Sequence, residues 1–302
     1  MRVGIDLGGT KIAAVVLDPG GGIAWESRVA TPRDDYEGTL DAMVRLVTDA
    51  ERAVGVTCTV GIGMPGVISP VSGLVKNANS TWLNGRALKV DLERRLRRDV
   101  RLANDANCLA ISEAIDGAAA GQRVVFGVIL GTGTGGGVVV DRHVLTGRNA
   151  IAGEWGHNAL PWPDADEYPG PPCYCGRRGC IETFLSGPAL ASDYQRRGGA
   201  ALSGEQIVQR TGEGDPLAVV VLQAWIQRLA KALATVINLI DPDIVVVGGG
   251  LSQIEPLYAE VPRLWADWVF SDVVTTPIVP AQYGDASGVR GAAWLWNARM
   301  LP

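Results

Sequence analysis

Residues 124–140 read VVFGVILGTGTGGGVVV, and residues 2–18 read RVGIDLGGTKIAAVVLD. Each is an apolar, largely β-branched run, a short Gly/Thr punctuation, and a second apolar run, which predicts strand, turn, strand. Neither is a Walker A loop, which needs four residues between its first Gly and GK and a helix afterwards. Here Lys11 leads straight into IAAVVLD. Taken singly, either stretch is compatible with an ordinary β-hairpin. It is equally compatible with a turn whose backbone N–H groups cradle an anion. The repetition weighs toward the second reading. Two such units, each opening one half of the chain, predict two related lobes that grip a phosphate chain between their turns.

Working outward, residues 34–54 predict a helix, with Asp34 as cap, Glu37 completing a capping box, and Leu40, Met43, Val44 and Val47 at helical spacing. A strand follows up to Pro65-Gly66. The polar loop after it, VISPVSGLVKNANSTWLNG, gathers Asn77, Asn79, Ser80, Thr81 and Trp82. That loop is either plain surface or a face offering amides and hydroxyls to a polyhydroxylated ligand. Asn104-Asp105 falls where a strand gives way to a helix, the place at which open α/β sheets put ligands, although Asp105 could also be a simple N-cap. Residues 215–240 predict a long helix capped by Asp215 with Pro216 at its first position. IVVVGGG then predicts a buried strand, a tight turn at Gly248–Gly250, and a helix from Leu251. Trp265, Trp268, Trp294 and Trp296 are spaced for packing.

A chain of 302 residues suggests two lobes rather than one core. Its 47 % hydrophobic and 20 % charged residues are those of a soluble globular protein. A net charge of −5 argues against a nucleic-acid surface. The basic cluster Arg94, Arg95, Arg97, Arg98 and Arg101 lies on an amphipathic segment and reads as a solvated helix face. Met1 is followed at once by RVGIDLGG, with no signal-peptide core, and no apolar run suggests a membrane span. The expectation is a cytoplasmic protein with reduced thiols.

In such a compartment Cys173-Tyr-Cys175-Gly-Arg-Arg-Gly-Cys180 reads as metal-binding. Three thiols and His157 make four tetrahedral ligands, a closed set and therefore a structural zinc. Free thiols or a Cys173–Cys175 disulfide are the alternatives, the latter strained by its single intervening residue. Glu154 and Glu182 flank these ligands. They could receive hydrogen bonds from adjacent sugar hydroxyls, or form a glycosidase-type carboxylate pair.

DLGGTK at Asp6–Lys11, GTGTGGG at Gly131–Gly137, GEWGH at Gly153–His157 and CYCGRRGCIE at Cys173–Glu182 together resemble the ROK family of repressors, open-reading-frame proteins and sugar kinases. The resemblance covers essentially the whole chain. It implies an α/β, actin-like ATPase fold of hexokinase type: two lobes, each a mixed sheet flanked by helices, around an interdomain cleft. The small lobe would be residues 1–118, with a helix over 287–302 packing back on it, and the large lobe 119–286 with a zinc loop at 157–180. KNANSTWLNG, RLANDANCLA and GHNALPW resemble the fructokinase branch, which implies ATP-dependent phosphorylation of fructose at its 6-hydroxyl. A kinase for glucose, mannose or an N-acetylhexosamine is the alternative. A sugar-responsive transcription regulator is disfavoured, because no helix-turn-helix precedes Asp6.

By the same resemblance Asp105 would be the general base. Gly66, Asn79, Asn104, Asp105, Glu154, His157 and Glu182 would bind the sugar. Asp6, Gly8, Gly9, Thr10 and Lys11, with Gly131, Thr132, Gly133, Thr134 and Gly135, would hold the phosphates of ATP, Asp6 helping to place Mg²⁺. Gly248, Gly249 and Gly250 would lie against adenosine, and His157, Cys173, Cys175 and Cys180 would hold zinc. A homodimer is implied, with no nucleic-acid or membrane partner. Fifteen residues separate His157 from Cys173, more than in compact members, and the added PWPDADEYPGPP would reshape the pocket rim.

Overall fold

The computed structural model describes residues 1–296. The chain divides into two compact units. The first comprises residues 1–121, 137–152 and the described part of 285–302; the second comprises 122–136 and 153–284.

In the first unit β1 (Arg2–Leu7) and β2 (Lys11–Leu17) pair antiparallel, and β3 (Ile23–Ala30) extends the pair. Helix α1 (Tyr36–Val54) leads to β4 (Thr59–Met64), which lies parallel to β1. After a small ribbon of β5 (Val67–Ile68) and β6 (Val75–Lys76) and helix α2 (Leu88–Leu96), β7 (Val100–Asn104) adds parallel to β4. The sheet order is β3-β2-β1-β4-β7. Because β1, β4 and β7 are parallel, Leu7, Met64 and Asn104 end at the same edge. Helix α3 (Asp105–Asp116) starts directly from that edge.

Of the predicted stripe of α1, Leu40, Met43 and Val47 are buried and Val44 is half-buried, and Leu46 and Ala50 complete the buried face. Its cap is Asp35, not Asp34: the Asp35 carboxylate accepts from Gly38 N at 2.9 Å, while Asp34 is left-handed at φ 61°. Glu37 makes no capping box and instead pairs with Arg95, as does Asp41. Arg98 pairs with Glu51, and Arg101 stacks on Trp296 at 4.4 Å. Much of the basic cluster is thus spent on intramolecular partners.

The second sheet has the order β10-β9-β8-β11-β12. Its strands are β8 (Val124–Leu130), β9 (Thr134–Val140), β10 (His143–Val144), β11 (Ile244–Gly248) and β12 (Ile278–Pro280). β11 is parallel to β8 and β12, and β10 is antiparallel to β9. The helices of the second unit are α4 (Glu182–Leu185), α5 (Gly187–Arg196), α6 (Gly204–Gly212), α7 (Pro216–Ile240) and α8 (Pro256–Trp265). Asp215 caps α7 through Leu217 N and Ala218 N, with Pro216 at the expected position. Among the described residues α7 is long and apolar enough to cross a membrane, contrary to the expectation from sequence. Yet 67 % of its most apolar window is buried inside the protein, and Trp225, Leu229 and Leu233 are fully enclosed, which makes it a core helix. No helix begins at Leu251; a single 3-10 turn covers Gly250–Gln253, and α8 waits for Pro256.

Helix α9 (Ser287–Trp294) returns to the first unit. A Cβ at Gly4 would lie 2.1 Å from Val289 O, one at Gly61 1.8 Å from Ala292 O, and one at Gly291 1.7 Å from Cys108 O. Helix α9 therefore touches both the sheet and α3 backbone to backbone, which only glycine permits. Trp265 and Trp294 are buried, while Trp268 and Trp296 are half-buried. Residues 297–302 of the expected terminal helix lie outside the described residues.

Candidate active site

The first unit gathers its reactive side chains where β1, β4 and β7 end. The β1–β2 turn is closed by Gly8 N donating to Lys11 O at 3.0 Å, and Thr31 holds it from outside, its hydroxyl donating to Gly8 O at 2.7 Å. Gly9, Thr10 and Lys11 are exposed. Asp6, at the end of β1, has its pKa raised to about 6. Burial is the main cause, then the charge of Asp105, with Asp285 adding and Lys11 opposing. The N-terminal turn of α9 comes close as well, since a Cβ at Gly288 would sit 3.8 Å from the Asp6 carboxylate.

Asn104, not Asp105, caps α3: its Oδ1 accepts from Ala106 N at 2.9 Å, and its Nδ2 donates to Gly66 O at 3.3 Å. Asp105, the first helical residue, is exposed and also accepts from Ala106 N, at 2.8 Å. Gly66 is left-handed at φ 71°, and a Cβ there would strike Lys76 O at 2.4 Å. The Asn77–Gly85 loop is an ordered part of this surface. The Asn84 amide clamps Ala78 by accepting from its N and donating to its O, both at 2.9 Å, and Asn79 is left exposed. Asn104 thus lies against Gly66, and Asp6 lies near Asp105 and Lys11.

In the second unit the Gly131–Gly135 turn is built from backbone. Gly131 N donates to Gly133 O at 3.0 Å, and Gly187 N donates to Gly131 O at 2.8 Å. Glu182 is tied to this turn: its Oε2 accepts from Thr134 N at 2.9 Å, and a Cβ at Gly133 would lie 2.7 Å from it. The GEWGH strip is fused to the same turn. Trp155 Nε1 donates to Gly135 O at 3.0 Å, and a Cβ at Gly156 would stand 2.0 Å from Thr134 O. Gly249, at φ 84°, passes so close to Leu130 that a Cβ would meet its carbonyl at 2.4 Å.

Two further glycines belong here that the sequence reading missed. A Cβ on Gly131 would reach Gly250 N at 4.0 Å, one on Gly187 would reach Gly131 O at 3.4 Å, and one on Gly204 would reach Gly187 O at 3.4 Å. Gly187 and Gly204 are first residues of α5 and α6, behind caps Ser186 and Ser203. Two helix N-termini therefore open beside the glycine turns, an arrangement suited to anions. The signal was present as two Ser-Gly pairs opening helices.

The four expected metal ligands converge. His157, Cys173, Cys175 and Cys180 have their ligand atoms within 4.8 Å of one another. Cys173 Sγ is 3.5 Å from His157 Nδ1, and Cys175 Sγ is 3.6 Å from Cys180 Sγ. A zinc tetrahedron with bonds of about 2.3 Å to sulfur and about 2.05 Å to nitrogen has edges of roughly 3.8 and 3.5 Å, so the residues fit the ion. All three cysteines are free, so the Cys173–Cys175 disulfide alternative is not formed. Burial pushes the Cys173 and Cys180 thiols up, so a cation is what would hold them as thiolates.

The loop between His157 and Cys173 is fastened to α7. Arg228, 3 % exposed, donates to Glu167 Oε1 and Asp193 Oδ2, both at 2.6 Å. Lys231, 1 % exposed, donates to Trp162 O at 2.8 Å and Asp164 Oδ1 at 3.2 Å. The inserted PWPDADEYPGPP is thus docked on α7 through the buried Glu167 and the partly bonded Asp164, while the Asp164 and Asp166 side chains stay largely exposed.

Residues 2–299 match the ROK family. The chain belongs to the ROK family. It is 40 % identical over 299 residues to an N-acetyl-D-glucosamine kinase of Escherichia coli O1:K1, covering 98 % of this chain and 99 % of that one. Among solved structures, a ROK hexokinase from Thermus thermophilus is 32 % identical with a TM-score of 0.87, covering 97 % of both chains. A ROK glucokinase from Streptomyces griseus, solved with glucose and AMPPNP, is 31 % identical with a TM-score of 0.78, covering 97 % of this chain and 98 % of its own. The hexokinase-type α/β fold expected from the motifs is the one found. The fructokinase branch suggested by the loop is not the one these relatives represent.

Proposed function

We propose that this ROK protein transfers the γ-phosphoryl group of ATP to the 6-hydroxyl of a hexose. The observation that carries the reading is the carboxylate cluster at the β1/β7 strand ends, where Asp105 opens α3 and its charge acts on a half-buried Asp6 beside Lys11. Asp105 takes the proton of the attacking hydroxyl. The exposed β1–β2 turn, Lys11, and the Gly131–Gly135 and Gly248–Gly250 backbone receive the phosphates and nucleoside. Mg²⁺, held with the help of Asp6, offsets the charge on the transferring group. Gly66, Asn79, Asn104, Glu154, His157 and Glu182 present hydrogen-bonding groups to the sugar. Zinc at His157, Cys173, Cys175 and Cys180 is structural, since four protein ligands leave no open position.

Among hexoses, the 40 % identical relatives favour N-acetylglucosamine. Fructose is the second reading, supported by the ordered Asn77–Gly85 loop with Asn79 exposed. A coupled ADP-release assay over fructose, glucose, mannose and N-acetylglucosamine decides between them. No turnover on any of the four would overturn the kinase reading. The proposal includes a cytoplasmic homodimer. Leu239, Phe270 and Val273 are exposed apolar side chains of the second unit suited to a subunit contact. A monomer mass by light scattering at micromolar concentration would remove that part.

A further inference from the structure

His157 has two ring nitrogens, and the structure gives each a different partner. Nδ1 lies 3.5 Å from Cys173 Sγ, on the edge of the zinc tetrahedron. Nε2 lies 2.9 Å from the hydroxyl of Tyr174, whose ring stands edge-on to the imidazole with centroids 5.0 Å apart. A ligating Nδ1 carries no proton, so a neutral imidazole carries its hydrogen on Nε2. Nε2 therefore donates and the Tyr174 oxygen accepts. One N–H serves one acceptor well. A sugar hydroxyl that uses His157 must take this bond over from Tyr174.

Tyr174 is placed for such an exchange. It is 77 % exposed, so little beyond the edge-on contact and this hydrogen bond holds it. Glu182 and Glu154, the carboxylates proposed to meet the sugar, are near enough to act on it electrostatically. It stands between two metal ligands, Cys173 and Cys175, so its backbone is fixed wherever its side chain turns.

We propose that Tyr174 is a placeholder for a sugar hydroxyl: it accepts the His157 Nε2–H bond while the sugar is absent and gives it up when sugar binds. This rests on the hexose reading above. The phenol has two effects of opposite sign. It keeps the zinc ligand oriented in the sugar-free protein, since the outer hydrogen bond of a ligating histidine fixes its tautomer and ring orientation. It also competes with the substrate for the same donor.

The test uses the zinc-loaded full chain and Tyr174→Phe, which keeps the edge-on ring and removes only the hydroxyl. Zinc loss to a chromophoric chelator is followed with and without N-acetylglucosamine or fructose, and sugar affinity is measured by calorimetry. Without sugar, zinc affinity of the variant should fall about 10–100-fold. With saturating sugar, variant and wild type should hold zinc alike. Sugar affinity of the variant should rise about 3–10-fold, the range of one hydrogen bond no longer competing. Weaker sugar binding in the variant would overturn the proposal, because the phenol would then itself contact the sugar. Unchanged zinc retention without sugar would overturn it too. If wild type bound neither sugar, the hexose reading would fall and the placeholder role with it, while the sugar-free zinc measurement would still report the Tyr174–His157 bond.

Discussion

The two strand–turn–strand segments share a topology and differ in chemistry. The turn of the first unit is surrounded by charge: Lys11 on it, and Asp105 and Asp285 both acting on Asp6 beside it. The turn of the second unit is surrounded by backbone, with Gly187 and Gly250 beside it, Gly249 pressed on Leu130 where it begins, and one carboxylate, Glu182, receiving its Thr134 amide. A repeated fold element fixes where a ligand can be approached, not what it meets there. The first turn should accordingly be sensitive to charge and pH, and the second to the addition of a single methyl group.

The sharpest break between the two is Asp105→Asn. It should lower kcat by about 10²–10⁴-fold with little change in sugar affinity, since the amide keeps the shape and loses the base. Steady-state kinetics beside calorimetry checks this, and near-normal turnover would dissolve the contrast. Next is Gly156→Ala, a neutral change in the second unit. Its methyl group meets Thr134 O at 2.0 Å, so the turn must shift, and ATP affinity should fall about 10–100-fold with a stability loss of roughly 1–3 kcal/mol. Retained ATP affinity by calorimetry would show that the turn is not the nucleotide's seat.

Asp6→Asn tests the charge side in the opposite direction. Folding raises the Asp6 pKa from 3.8 to about 6, so the folded protein holds this proton more tightly than the unfolded chain. The ionised form is therefore destabilising, fully so above pH 6, and the penalty fades as pH falls toward 4. Removing the charge should stabilise the Mg²⁺-free protein at pH 7.5 by on the order of 3 kcal/mol and add nothing below pH 4. Turnover should be lost at the same time, a trade of stability against function. Urea titrations at the two pH values decide it. The smallest effect is expected for Glu182→Gln, because an amide oxygen can still receive Thr134 N. A change in the KM for ATP beyond about 3-fold would mean that the Glu182 charge, and not its geometry, supports the turn.

Much of this was legible in local patterns. The two glycine turns, the zinc ligands, the Asn104-Asp105 junction and the Asp215-Pro216 start of α7 are each written within a few consecutive residues. What was not legible depends on partners far along the chain. Nothing near Glu182 announces a bond to Thr134. Nor does anything near PWPDADEYPGPP announce that Glu167 is buried against Arg228 and that Asp164 bonds Lys231, both some sixty residues later. The cap of α1 went to Asp35 because Asp34 turned left-handed, a choice between adjacent aspartates that composition does not rank. The hexose is harder still, since it rests on a few exposed side chains rather than on the fold.

The glycine contacts of α9 bear on the order in which the protein can be made. Gly4 and Gly61 lie in strands synthesised early, yet the backbone that covers them belongs to residues 289–292. Vectorial synthesis ordinarily lets an N-terminal unit fold before the rest has emerged. Here the first sheet keeps a face uncovered until α9, about 230 residues after Gly61, has left the ribosome. The second unit, contained within residues 122–284, is complete sooner, so the nascent protein should fold its middle before its beginning.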